Sequence, residues 1–220
     1  MFHVKQFDAP PPPLSPEAFA AATNTAPDTL ARLKVYVALL LKWQKRINLV
    51  GRGTLDDVWR RHVLDSAQLL PLLPPPAPDG PPIVLDMGCG AGFPGLVLAI
   101  MGECTVHLVE SDTRKCAFLF EVIAQTGIKN AHTHNVRMET LAPFPVDVVT
   151  SRALASLDKL LDMAGPFLAD QTQCLFLKGQ KAQEELTETQ KTRTMDTVMI
   201  QSQTDPSGTI LKLSSIQHTP

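Results

Sequence analysis

Aromatic residues are scarce, with one tyrosine, two tryptophans and nine phenylalanines among 220 residues. Few rings are therefore available for the interleaved aromatic and basic stripe on which single-strand binders stack bases. Cysteine is equally sparse. Cys89, Cys104, Cys116 and Cys174 form no C-x-x-C pair and have no histidines at ligand spacing, which argues against a zinc site, and no metal ligands are assigned. Cysteines scattered in this way are expected as small buried hydrophobes. No uninterrupted apolar run approaches the roughly 20 residues that span a bilayer. The N-terminal MFHVKQFDAPPPP lacks the apolar stretch and small-residue cleavage site of a secretion signal. The expectation is a cytoplasmic chain without membrane association. Charge of one sign is also lacking: the formal net charge is -2, which gives no global nucleic-acid signature.

The charge that is present lies unevenly. Between Arg32 and His62, eight Lys and Arg residues face only Asp56 and Asp57. Charge alone leaves a solvated helix face and an RNA-facing surface about equally open. The length suits one α/β core with an appended element. Proline interrupts the chain at 10–13 and again through PLLPPPAPDGPP at 71–82, where neither a helix nor a central strand continues. Residues 1–82 are accordingly expected as a helical extension with a proline-rich linker, and 83–220 as the core. Within the extension, Ser15 and Pro16 open a short helix and Asp28 caps a longer one. Thr54 opens a third, with Asp57 completing a capping-box pair. Leu30, Leu33, Val37, Leu40, Leu41 and Ile47 form one apolar stripe of the long helix, opposite Lys34, Lys42, Lys45 and Arg46.

Beyond the linker, short apolar runs alternate with amphipathic stretches, the pattern of βαβ units and a parallel sheet. Strands are expected at 83–86, 105–110, 132–136, 146–150 and 174–177, with helices near 94–101, 112–125, 156–164 and 180–192. TVMIQSQ and GTILKLSS, joined by a turn-rich DPS segment, break the alternation and read as an antiparallel hairpin on the sheet edge.

The strongest local signal is IVLDMGCGAGFPG at 83–95, a buried strand running into a glycine-dense turn and then a helix begun by Pro94. The next strand ends at Glu110, 20 residues after Gly90, where a carboxylate accepts the hydroxyls of an adenosine ribose. Strand, glycine turn, helix and acid together describe a nucleoside site. Two cofactors compete for it. GAGFPG satisfies the dinucleotide fingerprint G-x-G-x-x-G, which keeps a nicotinamide oxidoreductase in view. Against this, Asp86 sits where a pyrophosphate would be repelled but the ammonium of S-adenosylmethionine would be welcome. Phe93 and Pro94 crowd the turn that a pyrophosphate needs open, and the hairpin tail leaves no second mononucleotide half.

The chain also resembles the bacterial 16S ribosomal RNA guanine-N7 methyltransferases, the glucose-inhibited division protein B family. The likeness runs from residue 27 onward through LLLKWQKRINL (39–49), Arg61-His62-x-x-Asp65-Ser66, DMGCGAGFPG, VES...RK..FL (109–119), Arg137-Met138-Glu139, Ser151-Arg152-Ala153 and Leu177-Lys178-Gly179. Arg114-Lys115 stands where the family often has Lys-Lys or Lys-Arg, and the proline-rich stretches fall outside the shared pattern. The resemblance implies a doubly wound, Rossmann-like class I methyltransferase sheet with N-terminal helices and an antiparallel C-terminal hairpin. It implies S-adenosyl-L-methionine contacts at Gly88, Phe93, Met138, Glu139 and Arg152, beside Glu110 from the strand-end reading. The implied partner is 16S ribosomal RNA or the small ribosomal subunit, met by a monomer. Phosphate contacts are expected from Arg114, Lys115 and Lys178, with Arg152 at the same edge. No catalytic base is expected, because guanine N7 carries a lone pair and no proton. Another RNA or a small molecule remains the alternative methyl acceptor.

Overall fold

The computed structural model describes residues 11–218. Pro10 of the first proline run, and most of the stretch read for a secretion signal, lie outside the described residues.

Two helices open the described chain, α1 (Pro16–Thr23) and α2 (Pro27–Gln44). Ser15 caps α1 by accepting the Ala18 N–H at 3.0 Å. The expected cap at Asp28 is not one. Pro27, whose missing N–H costs nothing in a first turn, starts α2 after Ala26, and Asp28 lies within that turn. Nor does Thr54 form a capping box with Asp57. The segment is a 3₁₀ turn (Arg52–Asp57) running into a π-helical turn (Trp59–Leu64) and the short α3 (Asp65–Ala67). Asp57 instead accepts the Leu14 N–H and pairs with Arg60, while Thr54 turns to Gly51 and His62.

The sheet comprises β1 (Ile83–Met87), β2 (Thr105–Val109), β3 (Ala131–His134), β4 (Val148–Arg152), β5 (Gln173–Lys178), β6 (Arg193–Gln201) and β7 (Thr209–His218), in the order β3-β2-β1-β4-β5-β7-β6. The first five strands are mutually parallel, and β7 pairs antiparallel with both β5 and β6. The C-terminal hairpin thus extends the sheet, with β6 at its edge. Helices α4 (Gly95–Met101), α5 (Thr113–Thr126), α6 (Leu157–Ala164) and α7 (Ala182–Thr189) connect the strands. Asp112 caps α5 by accepting the Arg114 and Lys115 amides. Gly127 ends it at φ 68°, a left-handed backbone that glycine adopts without steric cost.

One face of the sheet buries Val106 and Leu108 against Leu33, Tyr36, Leu96 and Phe118 from α2, α4 and α5, so the N-terminal helices share a hydrophobic core with the strands. The other face buries Leu85 and Phe176 against Leu157, Leu161, Phe167 and Leu186. Each fully buried Leu or Phe contributes about 1.5–3 kcal/mol. Strand order reverses at β1, whose neighbours β2 and β4 are reached in opposite directions. This switch opens a crevice beyond the carboxyl ends of β1 and β4.

Candidate functional site

The turn after β1 holds Gly88, Gly90 and Gly92 at φ 60°, 56° and 86°, a conformation that side chains resist. A Cβ on Gly88 would also stand 2.5 Å from Leu154 Cδ1, so the crevice floor there is bare backbone for want of room. Asp86 fixes the turn from below. It is fully buried, accepting the Gly95 N–H at 2.8 Å and the Thr150 hydroxyl at 3.1 Å. Burial pushes its carboxyl up to about 7 against the pull of those two donors. The expectation that Asp86 meets a ligand's ammonium is corrected: its oxygens are turned inward to the helix start and β4, and it lines neither cavity described below.

Two cavities meet over the turn. The nearer one, of about 370 Å³, is walled by Glu110, Arg137, Met138, Glu139, Leu154 and Met163. The other, of about 480 Å³, lies between the glycine turn, residues 49–68 and the hairpin loop, and His62, Asp65, Phe93, Thr204 and Asp205 face it. Gly88, Lys115, Arg152 and Ala153 line both.

Glu110 is 8% exposed, and its carboxylate accepts the Gly90 N–H at 3.1 Å and the Asp112 N–H at 2.8 Å. Each oxygen retains a further lone pair for a ligand. Lys115 Nζ lies 3.9 Å from it. Met138 and Glu139 sit in the 3₁₀ turn that follows β3, Met138 buried and Glu139 exposed. Arg152, the last residue of β4, donates to the Arg61 carbonyl at 3.2 Å and approaches Asp65 Oδ2 at 3.4 Å, with its guanidinium 5.0 Å over the Phe93 ring.

Of the sequence-predicted cofactor residues, Gly88, Glu110, Met138, Glu139 and Arg152 therefore share the nearer cavity. Phe93 does not. Its ring is 3% exposed, stacked on Tyr36 at 5.0 Å and His62 at 5.1 Å, and borders only the far cavity. The three predicted phosphate ligands separate as well. Lys115 lines both cavities. Arg114, its side chain 73% exposed, folds onto Asp112 and lines neither. Lys178 lines the far cavity, but its side chain is 8% exposed and its ammonium is held by Glu185 at 2.6 Å and the Ala155 carbonyl at 2.8 Å.

Sequence reasoning missed the far cavity's own walls. Asp65 ties three segments together, accepting Thr204 Oγ1 at 2.6 Å and Gln68 Nε2 at 2.9 Å while facing Arg152. Asp205 receives Arg61 at 3.0 Å. The only signal for these residues was the Arg61-His62-x-x-Asp65-Ser66 stretch, and nothing marked the hairpin loop beyond its turn composition. The four cysteines are free and buried, as expected.

A seven-strand sheet of this order, with a glycine turn after β1 and an acid at the end of β2, defines a Rossmann-like methyltransferase fold. Solved structures share that fold at low sequence identity. M. jannaschii TYW2, in complex with AdoMet, aligns with a TM-score of 0.58 and 15% identity over 80% of each chain. A SAM dependent methyltransferase from Aquifex aeolicus aligns at 0.56 and 16%, over 73% of this chain and 95% of that one. The family model for GidB, rRNA small subunit methyltransferase G, matches residues 29–209. Ribosomal RNA small subunit methyltransferase G of Rhodospirillum rubrum is 53% identical over 203 residues, 92% of this chain and 98% of that one. Its counterpart in Cereibacter sphaeroides is 40% identical over 207 residues, with 92% and 98% covered. The chain belongs to the rRNA small subunit methyltransferase G family.

Proposed function

We propose that this protein transfers the methyl group of S-adenosyl-L-methionine to N7 of a guanine in 16S ribosomal RNA. The observation that carries the reading is the pair of cavities sharing Gly88, Lys115, Arg152 and Ala153, because group transfer needs donor and acceptor side by side across one wall.

The donor set of the nearer cavity fits S-adenosylmethionine. Glu110 supplies carboxylate lone pairs for ribose hydroxyls, Met138 and its turn give an apolar edge for adenine, and the bare Gly88 backbone admits the methionine portion. Arg152 is the cation for its carboxylate. When bound, S-adenosylmethionine supplies a methyl group activated by a neighbouring sulfonium. The guanine N7 lone pair forms the N–C bond as the C–S bond breaks, and the positive charge passes to the purine. No proton moves, so the chain's task is alignment and exclusion of water.

The far cavity takes the base. Arg61, Lys115 and Arg152 line it against Asp65 and Asp205, with Lys178 beside them bound to Glu185, a balance suited to a nucleotide. Lys115, with Arg114 on the surface beside it, meets flanking phosphates. Arg32, Lys45, Arg46 and Arg52 on the N-terminal segment widen that footprint.

On this reading the protein works in the cytoplasm, on 16S RNA or the small subunit. The reading includes action as a monomer. Residues 1–82 serve as an RNA-facing extension on the methyltransferase core of 83–220. Incorporation of tritiated methyl into purified 16S RNA or small subunits tests the reading, and transfer only to metabolites would overturn it.

A further inference from the structure

A third cavity, of about 610 Å³, adjoins the nearer one. The two share Met138, Glu139, Leu154 and Met163, but Gly88, Glu110 and Arg152 line only the nearer. The remaining walls of the third are mostly apolar. Leu141 and Pro143 come from the stretch that follows the Met138 turn, Ala155 from the loop entering α6, and Pro166 and Phe167 from the turn that leaves it. Phe167 is buried and held edge-on by Phe144, with ring centroids 5.6 Å apart. Two charged residues complete the lining. Asp162 is paired with Arg193, and Lys159 is exposed. Several hundred Å³ with mainly apolar walls and a few polar groups is the make-up of a small-molecule site, yet the proposed methyl transfer makes no use of it.

The orientation of the cofactor decides what can enter. With the ribose at Glu110 and the base along Met138, the six-membered ring is the part of adenine furthest from the sugar. Its N1, C2 and N6 edge then leads past Met138 toward the third cavity. The partition there is adaptable. Met138 and Met163 are unbranched thioethers, and Leu154 is 40% exposed on the loop where Ala153 turns at φ 52°. Glu139 is exposed and lines both cavities, so its carboxylate can accept an N6–H, and an adenine substituted once at N6 keeps one such hydrogen.

We infer that the third cavity is an annexe of the cofactor site that takes an apolar group carried on N6 of adenine. The protein therefore binds N6-alkyl and N6-arylmethyl derivatives of S-adenosylmethionine and S-adenosylhomocysteine. The inference rests on the proposed cofactor site. A closed wall beyond Met138 would exclude such a group by collision. A group projecting into water would be tolerated, but would be insensitive to residues of the annexe.

The test is isothermal titration of the full chain with S-adenosylhomocysteine and with its N6-benzyl derivative. The wild-type protein should bind the benzyl derivative at least as tightly as the parent, and up to about tenfold more tightly, because the phenyl ring leaves water. Leu141→Trp places an indole in the annexe at a position that does not line the nearer cavity. It should weaken the benzyl derivative about tenfold and leave S-adenosylhomocysteine within about threefold. Pro143→Trp, at an exposed position, should act in the same sense, and decides the matter if Leu141→Trp does not fold. Wild-type binding of the benzyl derivative more than about threefold weaker than the parent would overturn the inference. So would a folded variant whose affinity for the benzyl derivative falls no further than its affinity for the parent, and either result leaves the cofactor reading standing. A wild-type protein that does not bind S-adenosylhomocysteine at all would overturn the cofactor reading, and the inference with it.

Discussion

The two cavities that meet at Gly88 are built from different kinds of sequence. The nearer one comes from four strand ends, with Gly88 after β1, Glu110 after β2, Met138 after β3 and Arg152 closing β4. The far one is assembled from residues 49–68, the glycine turn and the hairpin loop, joined through Asp65 to Arg152 and Thr204 across 87 and 139 positions of chain. Local geometry fixes the first, whereas long-range polar contacts fix the second. Changes in the first should therefore strike cofactor binding, and changes in the second should strike the acceptor.

Gly88→Val carries the largest expected effect. The φ of 60° strains a branched residue, and its Cβ meets Leu154, which is 40% exposed and free to swing into the nearer cavity. Affinity for S-adenosylhomocysteine should fall below detection by isothermal titration while the thermal melt stays cooperative. A folded variant with unchanged affinity would break the division between the cavities.

Glu110→Ala should weaken S-adenosylhomocysteine binding by about 1.5–3 kcal/mol, roughly ten- to a hundred-fold, because ribose contacts and the support of the Gly90 and Asp112 amides go together. A loss of a few tenths would reduce Glu110 to a brace for the start of α5. The smallest effect is expected at Lys115. Lys115→Ala should raise the KM for RNA about threefold to tenfold and lower the slope of log affinity on log salt by about 0.7–0.9. Its 3.9 Å pairing with Glu110 is partly exposed, so S-adenosylhomocysteine affinity should stay within about threefold. A larger change in cofactor affinity than in RNA KM would reassign Lys115 to the nearer cavity alone.

The same contrast explains what was legible beforehand. Strand alternation, the glycine turn and the carboxylate 20 residues on are local signals, and they located five parallel strands, the hairpin, and the nearer cavity's Gly88 and Glu110. Local reasoning failed where a tertiary partner decided the outcome. Asp86 looked like a ligand contact, but its oxygens hold the Gly95 amide and Thr150. Lys178, expected to be free for a phosphate, is paired with Glu185, seven residues along. Thr54 looked like a helix cap, and its hydroxyl instead joins Gly51 to His62. No periodicity in the chain encodes these pairings.

The central claim is the atom that receives the methyl group. Purified protein, S-adenosylmethionine and unmodified small subunits should yield 16S RNA that borohydride and aniline cleave at a single guanine, because N7 methylation leaves a cationic, reducible imidazole ring. Nucleoside mass spectrometry should find one added methyl at the same site. RNA that carries the extra methyl yet resists cleavage would contradict the account, placing the group on an amine, carbon or ribose oxygen and requiring the far cavity to hold the base in another orientation.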